Sequence, residues 1–572
     1  MKPRHATFLD RRHILRNTLA AWIAIVIAAV CGCAPLALRT QNPEGLAGLE
    51  SEVRLIGDHA VPFGTNYLKI EVPVLITGLT GTGSDPPPSP LRTALIGEMR
   101  ARKVERPNQV LVSPTTTIAI AQGQIAPGAQ KGDRIDIEVH LPERSEATSL
   151  EGGYLMQCRL RDMAILDGQS HEGHVRALAR GALLTAKQSD GDESNTPRRG
   201  RVLGGGYVVK SRSLGLAIKP DSQSALLSKR IGDVINFRFH TFDRGRKVGV
   251  AKPKTDKFIE LQLHPRYKDN IPRYLRVVRA LAVRQGREQE KSRLDLLSRQ
   301  LTDPLTASAA AIKLEAIGGQ DAVQVLKRGI AVSSPEVRFY AAEALAYLDQ
   351  PEAADVLVAA IRDVPNLRPF AFAALSSMDD VSAYEALNQL LRSSDNHARY
   401  GAFRALRAMN PADGVVRGEN MGGEFSYHTV STRATPMVHV AKSRRPEVVV
   451  FGTNQRFRTP LLINVGKDIM VTSAPGDSRV TVSRFTLDGE DQERIVSSRI
   501  DDVIRAIVEL GGSYPDVVQT LIRAKQGGVL DADVAIDVLS KPARNRVARS
   551  KASEKRYPVA SPKPGLFSQR GG

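Results

Sequence analysis

Between residues 301 and 409 the leucines return at a near-constant step. Leu314, Leu345, Leu375 and Leu406 are separated by 31, 30 and 31 residues, and a second series, Ile330, Ile361 and Leu391, keeps the same step. Whole stretches echo one another: "KLEAIGGQDAVQVLKRGI" (Lys313–Ile330), "EALAYLDQPEAADVLVAAI" (Glu343–Ile361) and "AALSSMDDVSAYEALNQLL" (Ala373–Leu391). Each reads as a helix, a short Gly/Asp/Pro turn and a second helix. A single hairpin of this size cannot bury its apolar face alone, so the units must stack on one another around a shared core. Pro335, Pro365 and Pro369 fall near the starts of first helices, where a missing amide costs least.

The chain on either side has a different character. From about Leu55 to Leu184 it reads as mostly β, with strands expected at Ile70–Ile76, Gln109–Pro114, Thr116–Ala121, Arg134–Leu141 and Gly153–Leu160. These runs are rich in β-branched residues and end at Gly, Pro or Asp. Leu91–Arg102 has Leu91, Leu95, Ile96 and Met99 on one helical face. Residues 186–201 have almost no apolar content and read as a flexible surface loop. Strands are expected again from Val202, and a helix over Ser222–Ile235. After the repeats, β character returns over residues 424–485 and is followed by two helices, Ser498–Leu510 and Tyr514–Lys525. The fold class is α+β, with an all-α block set between β-rich parts. Residues 541–572 carry nine basic residues against Glu554 and read as a disordered tail.

"VLITGLTGTGSDPPPSP" (Val74–Pro90) invites a phosphate-cradle reading. The spacing Gly78 to Gly83 fits a P-loop frame, but Ser84 and Asp85 stand where lysine and a hydroxyl residue belong, and Asp85 would repel phosphate. A dinucleotide pattern fails as well, because Pro86 replaces its third glycine. The run is a glycine turn after a buried strand. "SHEGHV" places His171, Glu172 and His174 close together, one residue short of the H-E-x-x-H spacing that puts both histidines on one helix face. Gly168 and Gly173 favour a solvated hairpin there. No catalytic, cofactor-binding or metal-binding residue is assigned, and no enzyme activity is expected.

Three stretches together resemble the flagellar P-ring protein (FlgI family). The first is the strand, "GLTGTGSD" and the helix ending in "MRARKVERPNQVLV". The second is Gly128–Asp162, with Gly132, Arg134, Ile135 and Asp136 leading to the turn Ser149, Leu150, Gly152, Gly153 and Leu155. The third is Arg499–Ile536, with Gly528, Leu530 and Ala532. The helical block resembles HEAT-type repeats at three and a half copies, inserted between P-ring-like parts. The resemblance implies a ring-forming structural subunit, a homo-oligomer around the flagellar rod. Its implied neighbours are rod and L-ring proteins and peptidoglycan or another anionic envelope polymer. It also implies that Gly78, Gly81, Gly83, Gly152 and Gly153 are structural turn glycines, expected to sit where positive φ is needed.

The N-terminus reads as an export signal: a basic stretch, then the apolar run Leu19–Val30, which is short for a membrane span. Val30-Cys31-Gly32-Cys33-Ala34 resembles a bacterial lipobox, with Gly32 before the cleavage point and Cys33 as the lipidated residue. Asp10–Arg16 resembles a twin-arginine signal, and a single N-terminal anchor is the alternative. Ala34 after Cys33 points to the outer membrane. After processing, Cys33 and Cys158 remain, which leaves no Cys-based zinc site or disulfide framework. The formal charge of +19 falls to +15 without residues 1–32. For an exported chain with no aromatic stacking pattern, this excess suits anionic lipid or wall polymer better than nucleic acid, the alternative being that Lys and Arg simply keep the surface solvated.

The expected organisation is a signal peptide (1–32), a linker (33–54), a P-ring-like β region (55–285), helical repeats (290–412), a C-terminal P-ring-like domain (424–540) and the tail. The functional reading is a lipid-anchored, periplasm-facing subunit of a P-ring-like assembly. The alternative is a non-flagellar envelope adaptor that scaffolds through its repeats.

Overall fold

The computed structural model describes residues 53–166, 169–185, 197–486 and 490–537. Cys33, the signal and the tail lie outside them, as does most of the loop expected at 186–201.

The first β unit is a closed barrel. Strands Leu68–Thr77, Thr117–Ile125, Arg134–His140, Tyr154–Leu166, Gln169–Ala182 and Arg199–Val208 are all antiparallel, and pairing of Arg134–His140 with Arg199–Val208 closes the ring. Closure removes the sheet edges. Ile70, Val74, Ile76, Ile137, Leu155 and Leu160 fill the interior. The segment expected as a strand at Gln109–Pro114 is instead a short helix, Pro107–Val112. Pro107 presets its first turn, and Leu111 turns inward against Leu95, Met99 and Ile118. A three-residue apolar run (Val110–Val112) does not distinguish strand from helix, and the tertiary contact decided it. The last barrel strand begins at Arg199, ahead of the expected Val202.

A small sheet follows, in the order Ala60–Phe63, Leu214–Ile218, Phe258–Leu261, Ala251–Pro253, with the helices Ala225–Arg238 and Ile271–Arg279 packed on it. The helix Arg287–Thr302 leads into the repeats. These are the pairs Ala307–Ile317 with Gly319–Ile330, Pro335–Tyr347 with Ala353–Asp363, and Arg368–Leu375 with Val381–Leu390, then the unpaired Asn396–Met409. Leu314, Leu345, Leu375 and Leu406 are all buried on the shared inner face, as their spacing requires.

Beyond the repeats lies a mixed five-stranded sheet, ordered Gly418–Met421, Phe425–Val430, Glu447–Phe451, Met437–Val440, Asp533–Ile536. A four-stranded meander (Leu461–Val465, Ile469–Ser473, Arg479–Arg484, Gln492–Ser497) and the helices Ile500–Glu509 and Tyr514–Gln526 complete this unit.

The apolar core does not stop at the ends of the repeats. It runs without a break from Ile56 in the short helix Ile56–His59 and Leu216 in the small sheet, through the four repeat leucines, to Val430, Val449 and Phe451 in the mixed sheet. Leu184 and Leu203 of the barrel join the core of the C-terminal unit in turn. Arg444 N donates to Asp136 Oδ2 at 2.6 Å across the same contact. The repeat block is therefore packed at both ends and does not project as a free arm.

Candidate functional site

The glycine loop and the second family-like stretch meet in space. After the strand Leu68–Thr77, Leu79 N donates to Thr115 O at 2.9 Å and Gly83 N donates to Pro114 O at 2.9 Å. Thr82 Oγ1 donates to Ser149 O at 2.9 Å, and Thr148 N donates to Thr82 O at 3.1 Å. The loop is thus stitched to the turn Leu150–Gly153, where Gly153 N closes on Leu150 O at 3.0 Å.

The five glycines have two different reasons to be there. Gly78, Gly81 and Gly152 have positive φ, where side chains are strained. Gly83 and Gly153 do not, which corrects the common explanation expected for all five. A Cβ on Gly83 would stand 2.1 Å from Thr116 O, and one on Gly153 would stand 2.8 Å from Ile76 Cγ2 and 2.9 Å from Leu150 O. Their requirement is space for close backbone approach.

No phosphate cradle is assembled. Asp85 pairs with Arg92 Nη2 at 3.4 Å, and the helix Pro90–Ala101 is capped by its own Ser89, whose Oγ accepts from Arg92 N. His171, Glu172 and His174 lie along the barrel strand Gln169–Ala182, which forms the expected hairpin with Tyr154–Leu166, so no helix carries the two histidines. Among the described residues no group of three His, Cys, Asp or Glu is placed to hold a metal. Cys158 is buried in the barrel core, and burial pushes its thiol up to about 12, beyond ordinary thiolate chemistry.

The sequence reading missed two buried charged clusters that lock the repeats to their neighbours. At the first, Arg273 on the helix Ile271–Arg279 donates to Glu315 through Nε (3.0 Å) and Nη2 (2.5 Å), and its Nη1 meets Glu343 at 2.5 Å. Tyr267 OH donates to Glu315 Oε1 at 2.7 Å, and the Tyr267 ring stacks on Tyr347 at 4.6 Å. One guanidinium faces two carboxylates. Burial holds Glu343 above the usual carboxylate range despite Arg273, while the two carboxylates outweigh burial at Arg273 and keep it charged.

At the second, Glu447 of the mixed sheet accepts from Tyr400 OH (2.5 Å), Arg404 Nη1 (3.0 Å) and Arg407 Nη1 (2.6 Å) of the last repeat helix. Burial pushes the Glu447 carboxyl up, but Arg404, the Tyr400 hydroxyl and Arg407 outweigh it and hold the group below its ordinary range. His439 stacks on Tyr400 at 3.4 Å with neither ring nitrogen hydrogen-bonded. The readable signal for the first cluster was an acid at an apolar helix position, as in "KLEAI" or "AAEALAY". Nothing in the spacing names the partner across the junction.

Comparison with known proteins agrees with this division. The family described as "Flagellar P-ring protein" matches residues 74–296, from within the first barrel strand through the rest of the barrel and the small sheet's strands Leu214–Ile218, Ala251–Pro253 and Phe258–Leu261. The description "HEAT repeats" matches residues 290–369 and 330–407. A flagellar P-ring protein of Geobacter metallireducens is 28% identical over 223 residues, covering 37% of this chain and 56% of the relative. That of Pseudothermotoga lettingae is 24% identical over 220 residues, 36% of this chain and 60% of the relative. That of Geobacter sulfurreducens is 27% identical over 226 residues, 37% and 55%. The matches thus span a little over half the length of these relatives. The third family-like stretch, Arg499–Ile536, lies beyond the matched residues. Residues 74–296 are thus similar to the flagellar P-ring protein family, and the segment that follows them matches HEAT repeats.

Proposed function

We propose that this chain is a structural subunit of a flagellar P-ring-like assembly in the periplasm, a homo-oligomeric ring around the rod, with no catalytic role. The observation that carries the reading is the family match over residues 74–296, which take in all but the start of the closed barrel and three of the four strands of the sheet behind it. The glycine loop and its partner turn are engaged within the chain, as befits a rigid building block. In this reading the HEAT repeats, inserted between P-ring-like parts, brace the barrel unit against the C-terminal unit and add outward surface for neighbours. Those neighbours are the rod, L-ring proteins and peptidoglycan or another anionic envelope polymer. Cys33 carries a lipid that tethers each subunit to the outer membrane.

A ring needs one heterologous contact that closes by rotation. Electron microscopy of the purified protein, released from its anchor, should show closed rings or arcs of constant curvature. Particles that stay monomeric at high concentration would argue for the adaptor alternative. Metabolic lipid labelling should disappear in Cys33→Ser and persist in Cys31→Ser.

A further inference from the structure

Where the barrel faces the mixed sheet there is an open cleft of about 760 Å³. Arg134, Arg180 and Arg201 line it from the barrel, and Arg407 and Arg445 from the other side. Only two acids, Glu419 and Glu424, share the lining. Glu419 is held by Arg505 Nη2 at 2.7 Å, and Glu424 accepts from Tyr514 N at 3.2 Å. Arg201 and Arg407 are spoken for by Glu138 and Glu447. Arg134 reaches only a backbone oxygen, Gly204 O at 3.3 Å, and lies near the Tyr207 ring. Among the described residues, Arg134, Arg180 and Arg445 are exposed and have no carboxylate partner.

A second observation is independent of charge. Gly418, Glu419 and Asn420 line the same cleft and belong to Gly418–Met421, the edge strand of the mixed sheet, paired with Phe425–Val430 on one side only. Gly418, Glu419 and Asn420 are exposed. An open edge is a template for another strand, and proteins usually blunt or cover it. An anionic glycan could satisfy the arginines but has no use for the edge. An extended peptide answers both, since its backbone pairs with the edge while alternate side chains point to one wall.

We propose that this cleft receives an extended acidic segment of a partner protein, which adds as a strand along Gly418–Met421 and sets its carboxylates against Arg134, Arg180 and Arg445. Guanidinium and carboxylate match as planar bidentate partners, which favours carboxylate side chains over a diffuse anion. The site stands whether or not the chain forms a ring.

The test is fluorescence anisotropy of the purified full-length protein with a labelled peptide of alternating Glu and Val. Three controls accompany it: the Gln counterpart, a version N-methylated on alternate backbone amides, and polygalacturonate as a competing anionic glycan. The account expects saturable binding, weakened by at least about tenfold for both altered peptides. It expects the same loss in Arg134→Gln/Arg180→Gln/Arg445→Gln, and a smaller loss in Arg180→Gln/Arg445→Gln, with circular dichroism unchanged. Absence of binding, or unchanged affinity in a folded double or triple variant, overturns the site. Equal binding of the N-methylated peptide, or equally strong competition by polygalacturonate, leaves an anion surface without strand recognition and overturns the peptide assignment.

Discussion

Replacing Arg273 with methionine tests whether the repeats and the small sheet are one cooperative body. The side chain is 6% exposed, bonded to Glu315 and Glu343, and its guanidinium lies 4.8 Å over the Tyr347 ring. Methionine retains most of the aliphatic stem but removes the charge, which leaves two carboxylates buried without a cation. Breaking a buried pair from one side costs about 3–5 kcal/mol. At about 1.4 kcal/mol per factor of ten, that is roughly two to three and a half orders of magnitude in a local opening equilibrium. A chain built of several units has no single well-defined unfolding free energy, so the assay is native-state hydrogen exchange. Protection should fall by that amount in Ile271–Arg279, Ala307–Ile317 and Pro335–Tyr347 together, and also in Leu214–Ile218. Adding Glu315→Gln and Glu343→Gln should recover much of it, because neutral amides tolerate burial better than unpaired charges. A loss below tenfold, or one confined to Ile271–Arg279, would refute the reasoning.

The remaining expectations are simpler. Gly83→Ala should destabilise the barrel by about 1–3 kcal/mol or more through overpacking, whereas Gly97→Ala, where a Cβ meets nothing, should stabilise the helix Pro90–Ala101 by about 0.5–1 kcal/mol; thermal melts of both variants check the contrast. His428 and His439 are pushed down to about 4 and about 3, chiefly by burial. The unfolded chain binds their protons from about pH 6.5 downward, so the junction at the last repeat should lose roughly 1.4 kcal/mol per imidazole per pH unit between about 6.5 and 4. Glu447, whose pKa is lowered on folding, adds its own loss only below about 4.3. A pH-independent denaturation midpoint over that window would contradict this. Leu345→Asp should unfold the repeats by burying an unpaired charge, read as lost helical circular dichroism. Exchanging residues 290–412 for a short linker should leave the flanking units insoluble, since their core surfaces would be exposed.

The repeats were legible because their information is periodic. A step of about 31 residues fixes both helix positions and the buried face, and Leu314 through Leu406 fall where that step puts them. The barrel strands were legible from alternation and turn residues, but their closure was not, because register is set by contacts across the sheet. Pro107–Val112 misled for the same reason: the apolar run suits either conformation, and its contact with Leu95 and Met99 decided. The glycines at 83 and 153 could be found in sequence, but not their cause, since collision with Thr116 O or Ile76 is a three-dimensional fact. The packing of the repeats at both ends was not legible, because it rests on Arg273, Glu315, Glu343 and Glu447. Each is buried against a partner from another unit, and nothing in the local sequence names that partner.

The most direct test of the functional account is imaging of basal bodies from cells that lack this chain, alongside a motility assay. The account predicts non-motile cells whose basal bodies are missing a ring at the level of the cell wall, restored by the intact gene. Fully motile cells with complete basal bodies would contradict it.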